Sequence, residues 1–186
     1  MIVKRDSILV RELEEKDVYL LSKWLSDPAV LQYYEGRDRP HNQEMIYEHY
    51  YSRERDLTGC IIEYNQKEIG YLQFYPLSNH EKAEYGYGEQ EKLFGMDQFI
   101  GEPEYWNRGI GTKLIRMMIS HIKDCHHPQK LIMDPQEWNE RALRCYEKCG
   151  FRRVKLMPKH EFHEGELRNC WLIEYVFDQP EKNNGM

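Results

Sequence analysis

Leu93-Phe94-Gly95-Met96-Asp97-Gln98-Phe99-Ile100, followed by Gly101-Glu102-Pro103-Glu104-Tyr105-Trp106 and Asn107-Arg108-Gly109-Ile110-Gly111-Thr112, is the stretch whose reading decides the fold. A mostly apolar run of strand length carries one carboxylate, Asp97, near its middle. Gly-x-Pro ends the run, and a glycine-rich turn then opens a helix. Behind the turn, Leu114, Ile115, Met118, Ile119 and Ile122 recur at helical spacing, so the helix is amphipathic with one buried face. Gly109 and Gly111 lack the β-carbons that would hold a phosphate off the backbone. The first helical turn adds unpaired N–H groups at the positive end of the dipole, and Arg108 adds a fixed positive charge. This unit suits a pyrophosphate. Two other phosphate motifs fail on spacing, since a Walker loop needs Gly-Lys-Ser/Thr and a dinucleotide fingerprint needs a third glycine.

Upstream, Ile8, Val10 and Leu13 alternate as a first strand, and Val18, Leu21, Trp24 and Leu25 follow at helical spacing until Pro28. Leu31 to Tyr34 adds a further turn, Glu35 to Asp38 is a polar loop, and Asn42 caps a helix carrying Met45, Ile46, His49 and Tyr50. Thr58 to Tyr64 and Ile69 to Tyr75 read as a hairpin with a four-residue loop, Asn65 to Glu68. Pro76 to Lys92 is a polar insert with Glu81, Glu84, Glu89 and Glu91. It reads either as a solvated loop or as an acidic wall for a cationic ligand.

Downstream, Lys130 to Asp134 is a short buried strand ended by Pro135. Asn139 caps a helix from about Glu140 to Cys149, with Gly150 as its stop. Phe151 to Met157 is another strand, and Leu167, Trp171, Ile173, Tyr175 and Phe177 alternate along the last. The order predicts an α/β sheet with antiparallel strands first and parallel crossovers around the glycine turn. Two crossover helices whose N-termini point the same way suit a nucleotide-bearing ligand.

Composition sets the outer limits. A chain of 186 residues, 40% apolar and 13% aromatic, suits one domain that buries its own core without disulfides. The 14 tyrosines suggest a polar, aromatic-lined cleft. No run is long and apolar enough for a bilayer, and Lys4, Arg5 and Asp6 are unlike a signal peptide, so a cytoplasmic protein is expected, with no membrane partner. Five cysteines, an odd number without Cys-x-x-Cys, fit a reducing compartment, and Cys145 and Cys149 read as core. A formal charge of −6 disfavours nucleic acid and mildly favours a cationic partner. Cys125-His126-His127 and His160-x-x-His163 lack a complete four-ligand zinc set, so no metal is expected. Nothing supplies a base poised to make Cys145 or Cys149 an acyl-carrying nucleophile.

Asn139-Glu140-Arg141-Ala142-Leu143-Arg144-Cys145-Tyr146-Glu147-Lys148-Cys149-Gly150-Phe151 resembles the N-x-x-A-x-x-x-Y-x-x-x-G-F signature of the GCN5-related N-acetyltransferases. Gly109-Ile110-Gly111-Thr112 stands about 30 residues upstream, as in that family. Where the family usually carries Gln or Arg, three residues before the first glycine, this chain has Trp106, so the charge falls to Arg108 or the backbone suffices alone. Gly95 to Pro103 with Tyr105-Trp106, then Ile132-Met133-Asp134-Pro135, is similar to the aminoglycoside 6′-N-acetyltransferase branch. Glu35 to Asp38 and His160 to Gly165 are also similar to it, so the resemblance spans nearly the whole chain.

The resemblance implies a mixed, mainly antiparallel sheet with a central splayed parallel pair, flanked by helices. It also implies a single acetyltransferase domain over residues 1–178; residues 179–186 read from their composition as a flexible tail, and the sequence leaves monomer or homodimer open. Acetyl-CoA would lie between the splayed strands, its pyrophosphate on Arg108, Gly109, Ile110, Gly111 and Thr112. Its pantetheine would pair with Gln98, Phe99, Ile100 and Asn139, beside Ala142 and Tyr146. An aminoglycoside amine would attack the thioester directly in a ternary complex. Asp97 would accept the amine proton, Tyr146 would serve the departing sulfur, and Asp134, Glu161 and Glu35 would hold substrate ammonium groups. The chemistry is consistent, because an ammonium must lose a proton before it attacks and a carboxylate beside it both binds the cation and takes the proton. A tyrosine hydroxyl can stabilise a developing thiolate.

Structural readings of the same residues stand beside these. Asp97 could be a structural carboxylate, Tyr146 a core residue, and Asp134 a strand terminator before Pro135. Other amine acceptors, such as a polyamine, another amino sugar or a protein N-terminus, keep the fold, and so does a non-catalytic acyl-CoA-binding module.

Overall fold

The computed structural model describes residues 1–51 and 56–177; the expected tail at residues 179–186 lies outside them. Its elements are β1 (Val3–Arg5), β2 (Ile8–Glu12), α1 (Val18–Trp24), α2 (Pro28–Leu31), α3 (Gln43–Ile46), β3 (Thr58–Tyr64), β4 (Lys67–Pro76), α4 (Asn79–Tyr85) and β5 (Leu93–Ile100). They continue as α5 (Ile110–His126), β6 (Lys130–Met133), α6 (Glu140–Lys148), β7 (Arg152–His163) and β8 (Glu166–Val176). The strands form one sheet in the order β1-β2-β3-β4-β5-β6-β8-β7. Among the described residues only β5 and β6 run parallel, joined by the crossover helix that a parallel pair requires. The fold is therefore the mixed α/β sheet with a central parallel pair that the sequence implied.

Alternation along the strands divides the core. Cys60 and Ile62 of β3, Leu72 of β4 and Met96 of β5 face α5 and α6, where Leu114, Ile115, Met118, Ile119 and Leu143 cover them. Ile61, Tyr71 and Phe99 face the other way, against Leu21 and Trp24 of α1, Val30 and Leu31 of α2, and Ile46 of α3. Each such aliphatic or aromatic side chain contributes about 1.5–3 kcal/mol on burial.

The parallel pairing is short, and that shortness makes the site. Leu93, Phe94 and Gly95 pair with Lys130, Leu131 and Ile132, and there the ladder stops. Beyond it β5 keeps β4 as a partner as far as Ile100, while its other edge is released into a V-shaped gap. The N-termini of α5 and α6 both follow the carboxyl ends of this pair, where open α/β sheets bind ligands.

Several elements differ from the sequence expectation. β1 is an additional three-residue strand pairing with β2. Pro28 opens α2 rather than merely stopping α1, with the Asp27 side chain accepting from the Ala29 amide at 2.9 Å. The β3–β4 loop is two residues, Asn65 and Gln66, both at positive φ (50° and 67°), the twist a tight hairpin prefers. The insert contains α4, started by a capping box between Ser78 and Glu81. β7 continues past Met157 to His163 and turns through Glu164-Gly165 into β8. Among the described residues, no helix is long and apolar enough to cross a membrane.

Candidate active site

A cleft of about 1250 Å³ opens at the V. Gln98, Phe99, Ile100, Gly109, Ile110, Gly111, Thr112, Asn139, Ala142 and Tyr146 line it, as do Asp97, Asp134, Glu161 and Glu35. Arg108 is not among the lining residues, and its guanidinium lies 5.4 Å from the centre of the Tyr105 ring. Cations that do line the cleft are on α6: Arg141 in its first turn, with its guanidinium 4.3 Å from the Tyr33 ring and 4.5 Å from that of Trp106, and Arg144 and Lys148 further along. Gly109 caps α5 in the left-handed conformation (φ 74°), so glycine is favoured there by the backbone, and a β-carbon would meet nothing within 4 Å. Asn139 caps α6 through its side-chain oxygen, which accepts from the Ala142 amide at 3.2 Å.

Asp97 stands on the β5 face that Phe99 shares, and Gln98 on the opposite face. Gln73 Nε2 and the Tyr75 hydroxyl, both on β4, donate to Asp97 Oδ2 at 2.9 and 3.1 Å. Gln73 is the cross-strand partner of Asp97, and the Tyr75 ring passes over Gly95, where a β-carbon would come within 2.5 Å of it. Burial pushes the Asp97 carboxyl up to about 6, with repulsion from Asp134 and Glu161 adding to it and the two hydrogen bonds resisting. A base poised so close to neutrality can take a proton and return it.

On the other face, Gln98 Nε2 donates to the Tyr146 hydroxyl oxygen at 2.6 Å, which leaves the phenolic proton free to donate elsewhere. Burial raises the Tyr146 hydroxyl above its ordinary range, so it remains a donor. Gln98 Oε1 is buried without a hydrogen-bond partner among the described residues. Cys145 also reaches the cleft wall, 3.5 Å from Thr112 Oγ1, while Cys149 is buried.

The remaining carboxylates gather on the Asp97 side of the gap. Asp134 Oδ2 accepts from the Tyr85 hydroxyl at 3.0 Å and from His160 Nε2 at 3.1 Å. Burial raises the Glu161 carboxyl. Glu35, at φ 71°, accepts from the Tyr50 hydroxyl at 3.4 Å, and Glu81 lines the cleft from α4. Sequence reasoning missed Gln73, Tyr75, Tyr85 and the pairing of His160. Of these, only Gln73 carried a signal, as a polar residue on a strand otherwise rich in apolar and aromatic side chains.

A sheet splayed at its parallel pair, with two helix N-termini converging on the gap, is the architecture of the GNAT acetyltransferases. Residues 14–158 match the family described as the acetyltransferase (GNAT) domain, and the chain belongs to that family. It is 29% identical over 154 residues to an aminoglycoside N(6′)-acetyltransferase type 1 of Klebsiella pneumoniae, covering 80% of this chain and 75% of that one. The crystal structure of aminoglycoside acetyltransferase AAC(6′)-Ib with coenzyme A and kanamycin superposes with a TM-score of 0.71, at 25% identity, covering 91% of this chain and 95% of that chain. The spermidine N-acetyltransferase of Vibrio cholerae, in complex with CoA and spermine, shares the fold with a TM-score of 0.74 at 16% identity, covering 91% of this chain and 95% of that chain.

Proposed function

We propose that this chain transfers the acetyl group of acetyl-CoA to the 6′-amino group of an aminoglycoside, by direct attack in a ternary complex. The observation that carries this reading is Asp97, a carboxylate held at about 6 beside the gap in the sheet, facing a basin of further carboxylates. The 29% identity to the Klebsiella enzyme supports the choice of acceptor.

The residues present fit acetyl-CoA. The released edge of β5 offers backbone groups to the pantetheine amides, and Gln98 Oε1 is a buried acceptor awaiting a donor. The first-turn amides of α5, from Gly109 to Thr112, would hold the pyrophosphate, with Arg141, Arg144 and Lys148 of α6 lining the same cleft. Acetyl-CoA supplies an activated acetyl thioester. Asp97 accepts the proton that the acceptor ammonium must lose before its nitrogen can bond the acetyl carbon. The Tyr146 hydroxyl, with its oxygen already engaged by Gln98, donates its proton toward the sulfur as the carbon–sulfur bond breaks. Asp134, Glu161 and Glu35 hold the other ammonium groups of the acceptor.

The test is CoA release from acetyl-CoA on addition of kanamycin or tobramycin, with spermidine and a peptide bearing a free N-terminus in parallel. Turnover with the aminoglycosides, absent with an analogue lacking the 6′-amine, is expected. Tight acetyl-CoA binding with turnover of only spermidine or the peptide would move the acceptor to another amine.

A further inference from the structure

We propose that His160 is a positioning and counter-charge residue for the acceptor site: it holds Asp134 in place and, when protonated, competes with the acceptor cation for that carboxylate. The inference rests on the cleft being an acceptor site for a cationic amine, as argued above.

The geometry is a three-element clamp. His160 lies on β7, and its Nε2 donates to Asp134 Oδ2 at 3.1 Å. The Tyr85 hydroxyl, from α4, donates to the same oxygen at 3.0 Å. Two donors on one oxygen fix the carboxylate, and the Asp134 side chain remains 32% exposed toward the cleft. The other ring nitrogen of His160, Nδ1, is 3.6 Å from Glu84 Oε1 on α4, while the Tyr85 ring stands 6.1 Å away, centre to centre. The charged and titratable groups facing His160 are therefore Asp134 from the loop after β6, Glu84 and Tyr85 from α4, and Glu161 beside it on β7. Three carboxylates around one imidazole hold its proton, and the hydrogen bond to Asp134 is the largest influence raising His160 above its ordinary range, against desolvation.

Both protonation states keep Nε2–H on Asp134, so the clamp persists while its charge changes. Neutral His160 orients Asp134 and leaves its negative charge for a substrate ammonium. The imidazolium cancels that charge and repels the incoming cation. Acceptor affinity then weakens as pH falls through the titration of His160. By reciprocity of linked equilibria, bound acceptor must make His160 easier to deprotonate by the same factor.

Two measurements test this. The first compares the kanamycin Kd of the unmodified protein and of His160→Gln by calorimetry between about pH 5.5 and 8.5, the range over which a histidine titrates. Glutamine can still donate to Asp134 but cannot titrate, and the protonation of kanamycin itself cancels in the ratio. The ratio of unmodified to variant Kd is expected to be near one at the alkaline end and to rise about three- to tenfold at the acid end, the equivalent of roughly half to one pKa unit. The second follows the His160 ring proton by NMR titration. Saturating kanamycin is expected to lower its pKa by that same half to one unit, roughly, and Asp134→Asn to lower it without any acceptor. A Kd ratio that is constant across pH, even if the variant binds weakly throughout, overturns the proposal, as does a His160 titration unmoved by bound kanamycin. No aminoglycoside binding at any pH, with the histidine still shifted by Asp134→Asn, would remove the acceptor reading and this inference with it.

Discussion

The same burial that suits Asp97 to the proposed base role costs the folded state stability. The Asp97 carboxyl is held at about 6 against an ordinary 3.8, so the folded chain binds this proton more tightly than the unfolded chain does. Between those values rising pH therefore removes stability, and above both the loss is complete. Asp97→Asn keeps acceptors for Gln73 and Tyr75 while removing the charge. It is expected to raise unfolding free energy by about 1–3 kcal/mol above neutrality, and to lower kcat roughly 10²- to 10⁴-fold with acetyl-CoA affinity unchanged. Thermal melts read beside turnover check this, and a variant that is less stable yet nearly fully active would strip Asp97 of the base role. In the unmodified protein the acid limb of kcat/KM, which follows the ligand-free form, should fall near pH 6, where Asp97 gains its proton. Tyr146→Phe removes the proposed donor toward sulfur and the partner of Gln98 together. It is expected to lower kcat roughly 10- to 100-fold, with little change in acetyl-CoA Kd measured by calorimetry.

At the scale of elements, α4 shows both what a sequence can reveal and what it conceals. The Ser78-x-x-Glu81 capping box was written in the chain, with Ser78 N–H on Glu81 Oε2 at 2.8 Å and Glu81 N–H on Ser78 Oγ at 3.2 Å. Yet this seven-residue helix buries no residue fully, so no apolar stripe announced it. The β5–α5 unit and the Asn139-capped α6 were legible because burial imposes period on strand and helix, and caps punctuate them. The second half of β7 was not, since Pro158 and the left-handed Lys159 (φ 51°) interrupt the strand and shift its register between Met157 and Glu161. Gln73 and Tyr75 became partners of Asp97 only through the β4–β5 register, which depends on pairing at a distance. Because α4 carries Glu84 and Tyr85 to Asp134, its cap has a functional readout. Ser78→Ala should cost about 1 kcal/mol locally, raising acceptor KM severalfold while acetyl-CoA Kd and global unfolding stay nearly constant. An unchanged acceptor KM would mean that α4 does not position the acceptor site.

Across the whole molecule, two distant segments tie the walls of the cleft together. The Tyr33 ring stacks on Trp138 at 5.5 Å and 27°, joining the segment after α2 to the entry of α6. Arg37 then reaches the β7–β8 turn, its backbone N–H, Nε and Nη2 donating to Glu164 at 3.0, 2.6 and 2.8 Å across 127 positions of sequence. Between these anchors lies Glu35, which faces the cleft, and Gly36, whose φ of 108° suits glycine. An exposed ion pair adds little to stability, so the value of this one lies in fixing where Glu35 stands. Arg37→Ala and Glu164→Ala should each raise acceptor KM with nearly unchanged melting temperature, and the double variant should be no worse than the poorer single one, because either change alone releases the segment. Arg37 holds the Glu164 carboxyl down at about 2, far below the range in which histidine titrates. Releasing this tie should therefore shift acceptor affinity by the same factor at every pH from about 5.5 to 8.5. A pH-dependent shift in Arg37→Ala would mean that the tie and the Asp134 clamp are one coupled device rather than two.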